Sequence, residues 1–398
     1  MELTRTKLVV ISHASIKQIN RAVYRYLKNS LLEVRLVVPV TLTLGSGQTI
    51  HAEPATHDDP TIEPLALSGK NPRAYSYPDL IDYLNRVKPQ VVLLENDPVS
   101  KLGFQMSAWC RRNGAKLICQ TYENLKRDIK TSLSLQGWTG MVKNLAIHIL
   151  NARMAKRVDA LLVVNRDSEL IFNQYGYNNV FRIPLGYDPQ VFFPDGSVRS
   201  AYRKKLNVAE GSILIAYFGR LVKQKGVHLL IEALQEIRHL DWTLLLDHIH
   251  DSEDDYVSYI TTLINDCGLS NRVIYFEADH FEIANYMRAA DILVAPSLTT
   301  PSFKEQYGRA VQEGMASGCV CIVSDSGHLK DLVGTDELVF KEGNSQQLRK
   351  MIVKYSNDEA ARTRIQYFLI QRASSLFTTT RQSDALITLI EKLNRTGS

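Results

Sequence analysis

The sequence predicts an α/β protein of two doubly wound domains, each a parallel sheet covered by helices. Three observations lead there. Short β-rich runs alternate with about 10–18 residues of helical periodicity almost throughout. Most of these runs are continuously apolar, as strands are when both faces of a sheet are covered. One stretch, Pro184–Val198, interrupts the alternation with Pro, Gly and Asp before a new strand opens at Ile213. The 398 residues suffice for two sizeable cores.

Taken in order, the first half holds strand candidates at Leu8–Ile11, Val34–Val38, Val91–Leu94, Lys116–Cys119, Asp159–Val164 and Val180–Ile183. Residues 45–77 are poor in pattern and read as loops with one irregular strand. After the break come Ile213–Tyr217, Thr243–Leu246, Val273–Phe276, Ile292–Ala295 and Val320–Val323. Helices are expected at Val227–Glu236, Tyr256–Cys267 and Gly308–Ser317, the last closed by Gly318. The C-terminus carries a helical apolar stripe through Leu386, Ile387, Leu389 and Ile390. No solenoid repeat or low-complexity tract is present.

At 45% hydrophobic and 22% charged the composition is that of an ordinary globular protein. The five cysteines form no CxxC or Cys/His cluster, which argues against a zinc site or disulfide scaffold and for a reducing cytosol. The opening MELTRTKLVVIS is too short an apolar run for a signal peptide, and no stretch of about 20 apolar residues exists to span a membrane. The net charge of +5 is uneven: residues 1–190 carry +8 and residues 191–398 carry −3. Residues 125–158 set Lys126, Arg127, Lys130, Lys143, Arg153, Lys156 and Arg157 against one acid, Asp128, with Leu133, Leu135, Trp138, Met141, Val142, Leu145, Ile149 and Leu150 interleaved. This segment reads either as a core-covering helix with a solvated basic face or as a contact for an anionic membrane surface.

Two short motifs carry chemistry. The first runs from Asp291 to Asp325 as strand, loop, helix, strand, and holds Glu305 and Glu313 eight residues apart. Read at the helical rise of about 1.5 Å per residue, that spacing is about 12 Å. Such a separation suits the sugar and ribose hydroxyls of a nucleotide sugar, with its pyrophosphate over the helix N-terminus. The second is GRLVKQKG, Gly219–Gly226, which follows an apolar strand and opens a helix. It places Arg220 and Lys225 at a strand's C-terminal end, where open α/β sheets bind ligands. Two cations there grip a diphosphate and stabilise the charge that grows on it as it leaves. An acidic run, Asp251–Asp255, reads as a helix start and not as a metal site.

GRLVKQKG followed by PSFKEQYGRAVQEGMASG resembles the donor-binding domain of the retaining glycosyltransferases of family four, which have the GT-B fold. The resemblance covers about residues 180–345 well and the first half loosely. It extends to RIPLGYDPQVFFP, to IANYMRAADILVAPS and to SGHLKDLVG, where Asp331 stands in place of the usual Glu. It implies an N-terminal acceptor domain of residues 1–190 rejoined by a crossing C-terminal helix (about 377–398), and a donor domain of residues 191–376, facing across a cleft. By resemblance Glu305 holds donor-sugar hydroxyls and Glu313 the ribose, while Gly219, Arg220 and Lys225, with backbone amides near Tyr307, Gly308 and Arg309, take the diphosphate. Sugar transfer then proceeds with retention, without a metal or other cofactor. The leaving diphosphate assists deprotonation of the acceptor on the same face.

The first half departs from the family. It has ISHASIKQINR where many members have a Gly-Gly loop, so His13 stands at the first strand's end. Glu95 and Glu123 cap two further strands; with His13 they are the nominated acceptor contacts, and each is equally readable as structural. Asp247 and His248 replace a glycine-bearing turn, which leaves that loop's donor contacts open. The expected partners are a nucleotide-diphosphate sugar, a carbohydrate or lipid-linked acceptor and an anionic membrane at residues 125–158, with no nucleic acid. The expected location is the cytoplasm, peripheral on the inner membrane face. Two other readings stay open: a nucleotide-sugar 2-epimerase of the same fold, and a non-catalytic nucleotide-sugar-binding protein. A dehydrogenase is disfavoured because G-x-G-x-x-G is absent after the first strand.

Overall fold

A computed structural model describes residues 5–28, 30–44, 47–125, 129–209, 211–247 and 255–395. The chain folds as two units, Met1–Gly186 with Thr379–Ser398, and Tyr187–Thr378.

The first unit is built on a seven-stranded parallel sheet. Its strands are β1 (Thr6–Ile11), β2 (Leu32–Pro39), β3 (Thr61–Leu65), β4 (Val91–Leu94), β5 (Lys116–Thr121), β6 (Ala160–Val163) and β7 (Val180–Arg182). Their order is β3-β2-β1-β4-β5-β6-β7. β1 lies between Val34–Val37 of β2 and Val91–Leu94 of β4, with Val10 facing Leu36 and Leu93. Residues of β1, β4 and β5 alternate between two cores, so both faces are buried and the runs read as continuously apolar. The edge strand β3 is the irregular strand of the pattern-poor region. It carries Pro64, which an edge tolerates because one side needs no ladder donor. A small hairpin, Thr41–Thr43 with Thr49–His51, straddles the start of that region.

The C-terminal helix, Thr379–Arg395, buries Leu386, Leu389, Ile390 and Leu393 in one of these cores. Ser383 Oγ donates to the Val23 carbonyl at 2.7 Å. The apolar stripe thus returns the chain's end to the unit in which it began.

The second unit has a six-stranded parallel sheet in the order β10-β9-β8-β11-β12-β13. The strands are β8 (Ile213–Tyr217), β9 (Trp242–Asp247), β10 (Val273–Phe276), β11 (Ile292–Ala295), β12 (Val320–Ser324) and β13 (Val339–Phe340). Every strand read from the sequence is present, and the two-residue β13 is added. Asp291, just before β11, is a buried bracket. It accepts from Leu214 N at 2.8 Å and pairs with Arg199 at 2.5 Å and Arg203 at 2.9 Å, tying β8 and β11 to the preceding helix.

In both sheets the order reverses at one place, between β1 and β4 and between β8 and β11. Helices then leave on opposite faces of the sheet, and a crevice opens beyond the strands' C-terminal ends. The five cysteines are buried free thiols, and burial pushes those of Cys119 and Cys321 well up.

Candidate functional site

In the second unit, β8 ends at Tyr217 and leads into Gly219 and Arg220, while β11 ends at Ala295 and leads into Pro296 and Ser297. These two ends form the switch point. Gly219 (φ 144°) lets the chain turn there, and the Tyr217 hydroxyl donates to the Arg220 carbonyl at 2.8 Å. Burial, and after it the Glu305 carboxylate, push the Tyr217 phenol well up, so it stays neutral. Gly226 (φ 67°) starts the helix Val227–Gln235 against the other loop, where a Cβ would lie 2.0 Å from the Pro296 carbonyl oxygen. Only glycine permits that approach.

The approach brings the two motifs together. Lys225 Nζ lies 2.6 Å from Glu305 Oε2, and Ser297 Oγ donates to the same oxygen at 2.8 Å. Lys225 also sits 5.3 Å from the centroid of the Phe303 ring. The Glu305 backbone is held as firmly: its carbonyl accepts from His328 N at 3.2 Å, and a Cβ on Gly327 would lie 2.0 Å from that oxygen. Arg220 is exposed, and among the described residues no carboxylate is within ion-pair reach of it. The local balance of Arg220, Lys225 and Glu305 is one positive charge, held beside backbone N–H groups.

The helix after this loop runs from Arg309 to Ser317, with Gly308 (φ 90°) as its N-cap. Glu305 therefore lies outside it and Glu313 one turn within it. The 12 Å separation, which assumed a helical path between the two, does not follow. In its first turn Val311 N and Gln312 N donate to the Gly308 carbonyl at 3.0 and 3.2 Å. Glu313 is buried, and burial raises its carboxyl from 4.5 to about 7 against the opposing pull of Arg309, 3.7 Å away. Tyr307 is buried, stacked on His328 at 5.2 Å, and its hydroxyl accepts from Gln312 at 3.2 Å. Its ring shapes the support under the helix mouth. Asp331 lies on the following short helix, half exposed, with its carboxylate 3.6 Å from His328 Nδ1. His248 and all of the acidic run except Asp255 lie outside the described residues.

The three nominated residues of the first unit have separate settings. His13 Nδ1 is 2.8 Å from the Tyr77 hydroxyl, and its ring packs edge-on to Tyr75 at 4.8 Å. Burial lowers its pKa to about 4, so at neutral pH it is an uncharged imidazole and not a cation for phosphate. Glu95 accepts from Ser12 and Tyr24; burial raises its carboxyl and these bonds oppose the rise. It braces β1 against β4. Glu123 lines a cavity of about 260 Å³ with Asp97, Arg73, Lys143, Phe172 and Tyr175. There Arg73 bridges Glu123 at 3.0 Å and Asp97 at 3.4 Å. Arg73 and Asp97 were not selected from the sequence. Asp97 follows β4 by three residues, a position that strand-end logic marks, whereas Arg73 reaches in from a loop with no local signal.

Residues 198–371 match the family described as "Glycosyl transferases group 1". The matched residues lie within the second unit, Tyr187–Thr378. The matched range contains Gly219–Gly226 and the whole stretch from Asp291 to Asp325. A D-inositol 3-phosphate glycosyltransferase of Xylanimonas cellulosilytica is 27% identical over 186 residues, 45% of this chain and 43% of the relative. A lipopolysaccharide core biosynthesis mannosyltransferase of Rhizobium leguminosarum is 29% identical over 157 residues, 38% of this chain and 42% of the relative. The chain spans about half the length of the curated relatives it matches.

Among solved structures, Anabaena HepE in complex with UDP superposes with a TM-score of 0.73, covering 97% of this chain and 100% of that one at 18% identity. A sucrose-phosphate synthase from Thermosynechococcus elongatus gives 0.71, covering 98% and 100%, also at 18% identity. At such identity the likeness speaks for the fold. The two units have the GT-B class of architecture, α/β with two parallel Rossmann-like sheets.

Proposed function

We propose that this protein is a retaining glycosyltransferase that moves a sugar from a nucleotide-diphosphate sugar to an acceptor hydroxyl, in polysaccharide or glycolipid synthesis. The observation that carries the reading is the meeting of Lys225 and Glu305 at the switch point of a unit that matches the group 1 glycosyl transferases. A cation and a carboxylate held 2.6 Å apart are what a phosphate next to a sugar hydroxyl requires from a site. Lys225 and Arg220 take the diphosphate together with the N–H groups of Gly308 and Arg309. Glu305, braced by Ser297, accepts from donor-sugar hydroxyls. Glu313 accepts from the ribose, and Gly219 lets the phosphate approach the backbone.

In the chemical step the bond from the anomeric carbon to the diphosphate oxygen breaks, and the acceptor oxygen bonds on the same face. The acceptor proton passes to the departing diphosphate oxygen, so no side chain needs to hold it. The charge on the leaving group is met by Arg220 and Lys225, and the reading calls for no metal. His13 and Glu123 are assigned to the acceptor. Glu95, engaged with Ser12 and Tyr24, has the weaker case. The names of the relatives, which speak of an inositol phosphate and of lipopolysaccharide core biosynthesis, support an acceptor that is phosphorylated or lipid-linked.

Thermal-shift measurements with UDP-, GDP- and ADP-sugars identify the donor, since a ligand bound to the folded state raises apparent stability. Lys225→Ala and Glu305→Ala are expected to abolish transfer while circular dichroism remains that of the parent. Full turnover by both variants would sink the assignment.

A further inference from the structure

The helix Ile129–Ala155 presents two opposite faces. Asn144, Asn151 and Met154 are buried in the first unit, and the Tyr177 hydroxyl donates to Asn151 Oδ1 at 3.2 Å. At 100° per residue the opposite face carries Trp138, Val142, Leu145 and Ile149 in steps of four, three and four. These large apolar side chains are 73%, 59%, 48% and 47% exposed. Arg153 and Lys156 continue the same stepping, so one stripe about 27 Å long passes from apolar to cationic.

At its cationic end the stripe meets a concavity of about 720 Å³. Arg111, Lys116, Arg153, Lys156 and Arg157 line it, against the single acid Asp159. Asp159 is already engaged, 3.3 Å from Lys116 Nζ and accepting from Leu117 N at 2.8 Å. Among the described residues no carboxylate pairs with Arg111, Arg153, Lys156 or Arg157. Lys116 begins β5 and Asp159 precedes β6, so this concavity lies at the opposite end of the sheet from His13, Glu95 and Glu123.

Cations in the last turn of a helix complement its dipole, which accounts for Arg111 and Arg153 singly. The dipole does not account for four large apolar side chains in water on the same face, with no acid between residues 138 and 158. A folded chain leaves such a patch where another apolar phase covers it. An aqueous anion satisfies the cations only. An anionic bilayer satisfies both: acyl chains take the apolar stripe and phosphate headgroups enter the basic concavity.

We propose that this face of the helix docks on an anionic phospholipid surface, with Trp138, Val142, Leu145 and Ile149 in the acyl boundary and the Arg111–Lys116–Arg153–Lys156–Arg157 concavity holding lipid phosphates. The proposal goes beyond the donor reading and does not depend on it.

The protein supplies its own probe. Of three tryptophans, Trp109 and Trp242 are buried and Trp138 is exposed, so a change of emission on adding vesicles reports Trp138. Phosphatidylglycerol vesicles are expected to shift the emission to the blue and to sediment the protein; phosphatidylcholine vesicles are expected to do neither. Arg153→Ser with Lys156→Ser is expected to weaken vesicle binding about thirtyfold, at about fivefold per cation near the surface. Leu145→Ser with Ile149→Ser is expected to remove the blue shift. Both pairs are exposed, and their melting curves and donor-induced thermal shifts should match the parent's. Absence of sedimentation with anionic vesicles overturns the proposal. So does a response to inorganic phosphate without one to vesicles, self-association through the stripe, or vesicle binding unchanged in both variants. Failure of the parent to respond to any nucleotide sugar would count against the donor reading alone.

Discussion

Replacing Glu313 by glutamine isolates the consequence of burying a carboxyl at the candidate ribose position. Burial raises its pKa from 4.5 to about 7. Between those two values the unfolded chain has released the proton and the folded chain still holds it. Stability therefore falls as pH rises through that window and levels off above about pH 7. At about 1.4 kcal/mol per unit, the penalty accumulated by pH 8 is about 3 kcal/mol. Glutamine keeps the shape and never ionises, so the variant is expected to match the parent near pH 4 and to exceed it by about 2–3 kcal/mol at pH 8. For a domain of this size that is several degrees in melting temperature, at about 2–4 °C per kcal/mol. The assay is the difference between the two melting curves from pH 4 to pH 9, in which other titrations cancel. A difference that does not change with pH would refute the reasoning, as would a parent that gains on the variant as pH rises. Donor affinity should move the other way: ribose hydroxyls favour the carboxylate, so the parent binds more tightly above pH 7 and the variant loses that dependence.

Two further outcomes follow from the scaffold of the site. Gly226→Ala places a Cβ 2.0 Å from the Pro296 carbonyl in a left-handed backbone; it should cost at least about 2 kcal/mol, seen as a lower denaturant midpoint, together with loss of donor-induced stabilisation. Asp291→Asn breaks the pairing with Arg199 and Arg203; a loss of about 2–3 kcal/mol is expected in urea unfolding, with the donor dissociation constant little changed in the protein that remains folded.

The parallel sheets were legible because both faces of each strand are covered, which leaves continuous apolar runs such as Val91–Leu94 and Ile213–Tyr217. The edge strand Thr61–Leu65 was legible only as an irregular strand without bounds, since it is half exposed and contains a proline. The core of the preceding loop was not legible. Arg21, wholly buried, pairs with Asp59 at 3.1 Å and donates to the carbonyls of Glu53 and Pro54. Residues so far apart in the chain leave no periodic trace. Glycine spacing marked Gly219 and Gly226, but not Gly327, whose role appears only from the carbonyl it lies against.

The sequence alone determined the class of architecture and the two motifs, because these depend on local periodicity and on residue types a few positions apart. Tertiary structure decided what those residues face. It joined Lys225 to Glu305 across 80 positions and removed the helical path assumed between Glu305 and Glu313. It made His13 a neutral imidazole among tyrosines and put the apolar stripe of the long helix in solvent. Charge state, partner and exposure depend on what the fold packs around a side chain, and distant segments supply that packing.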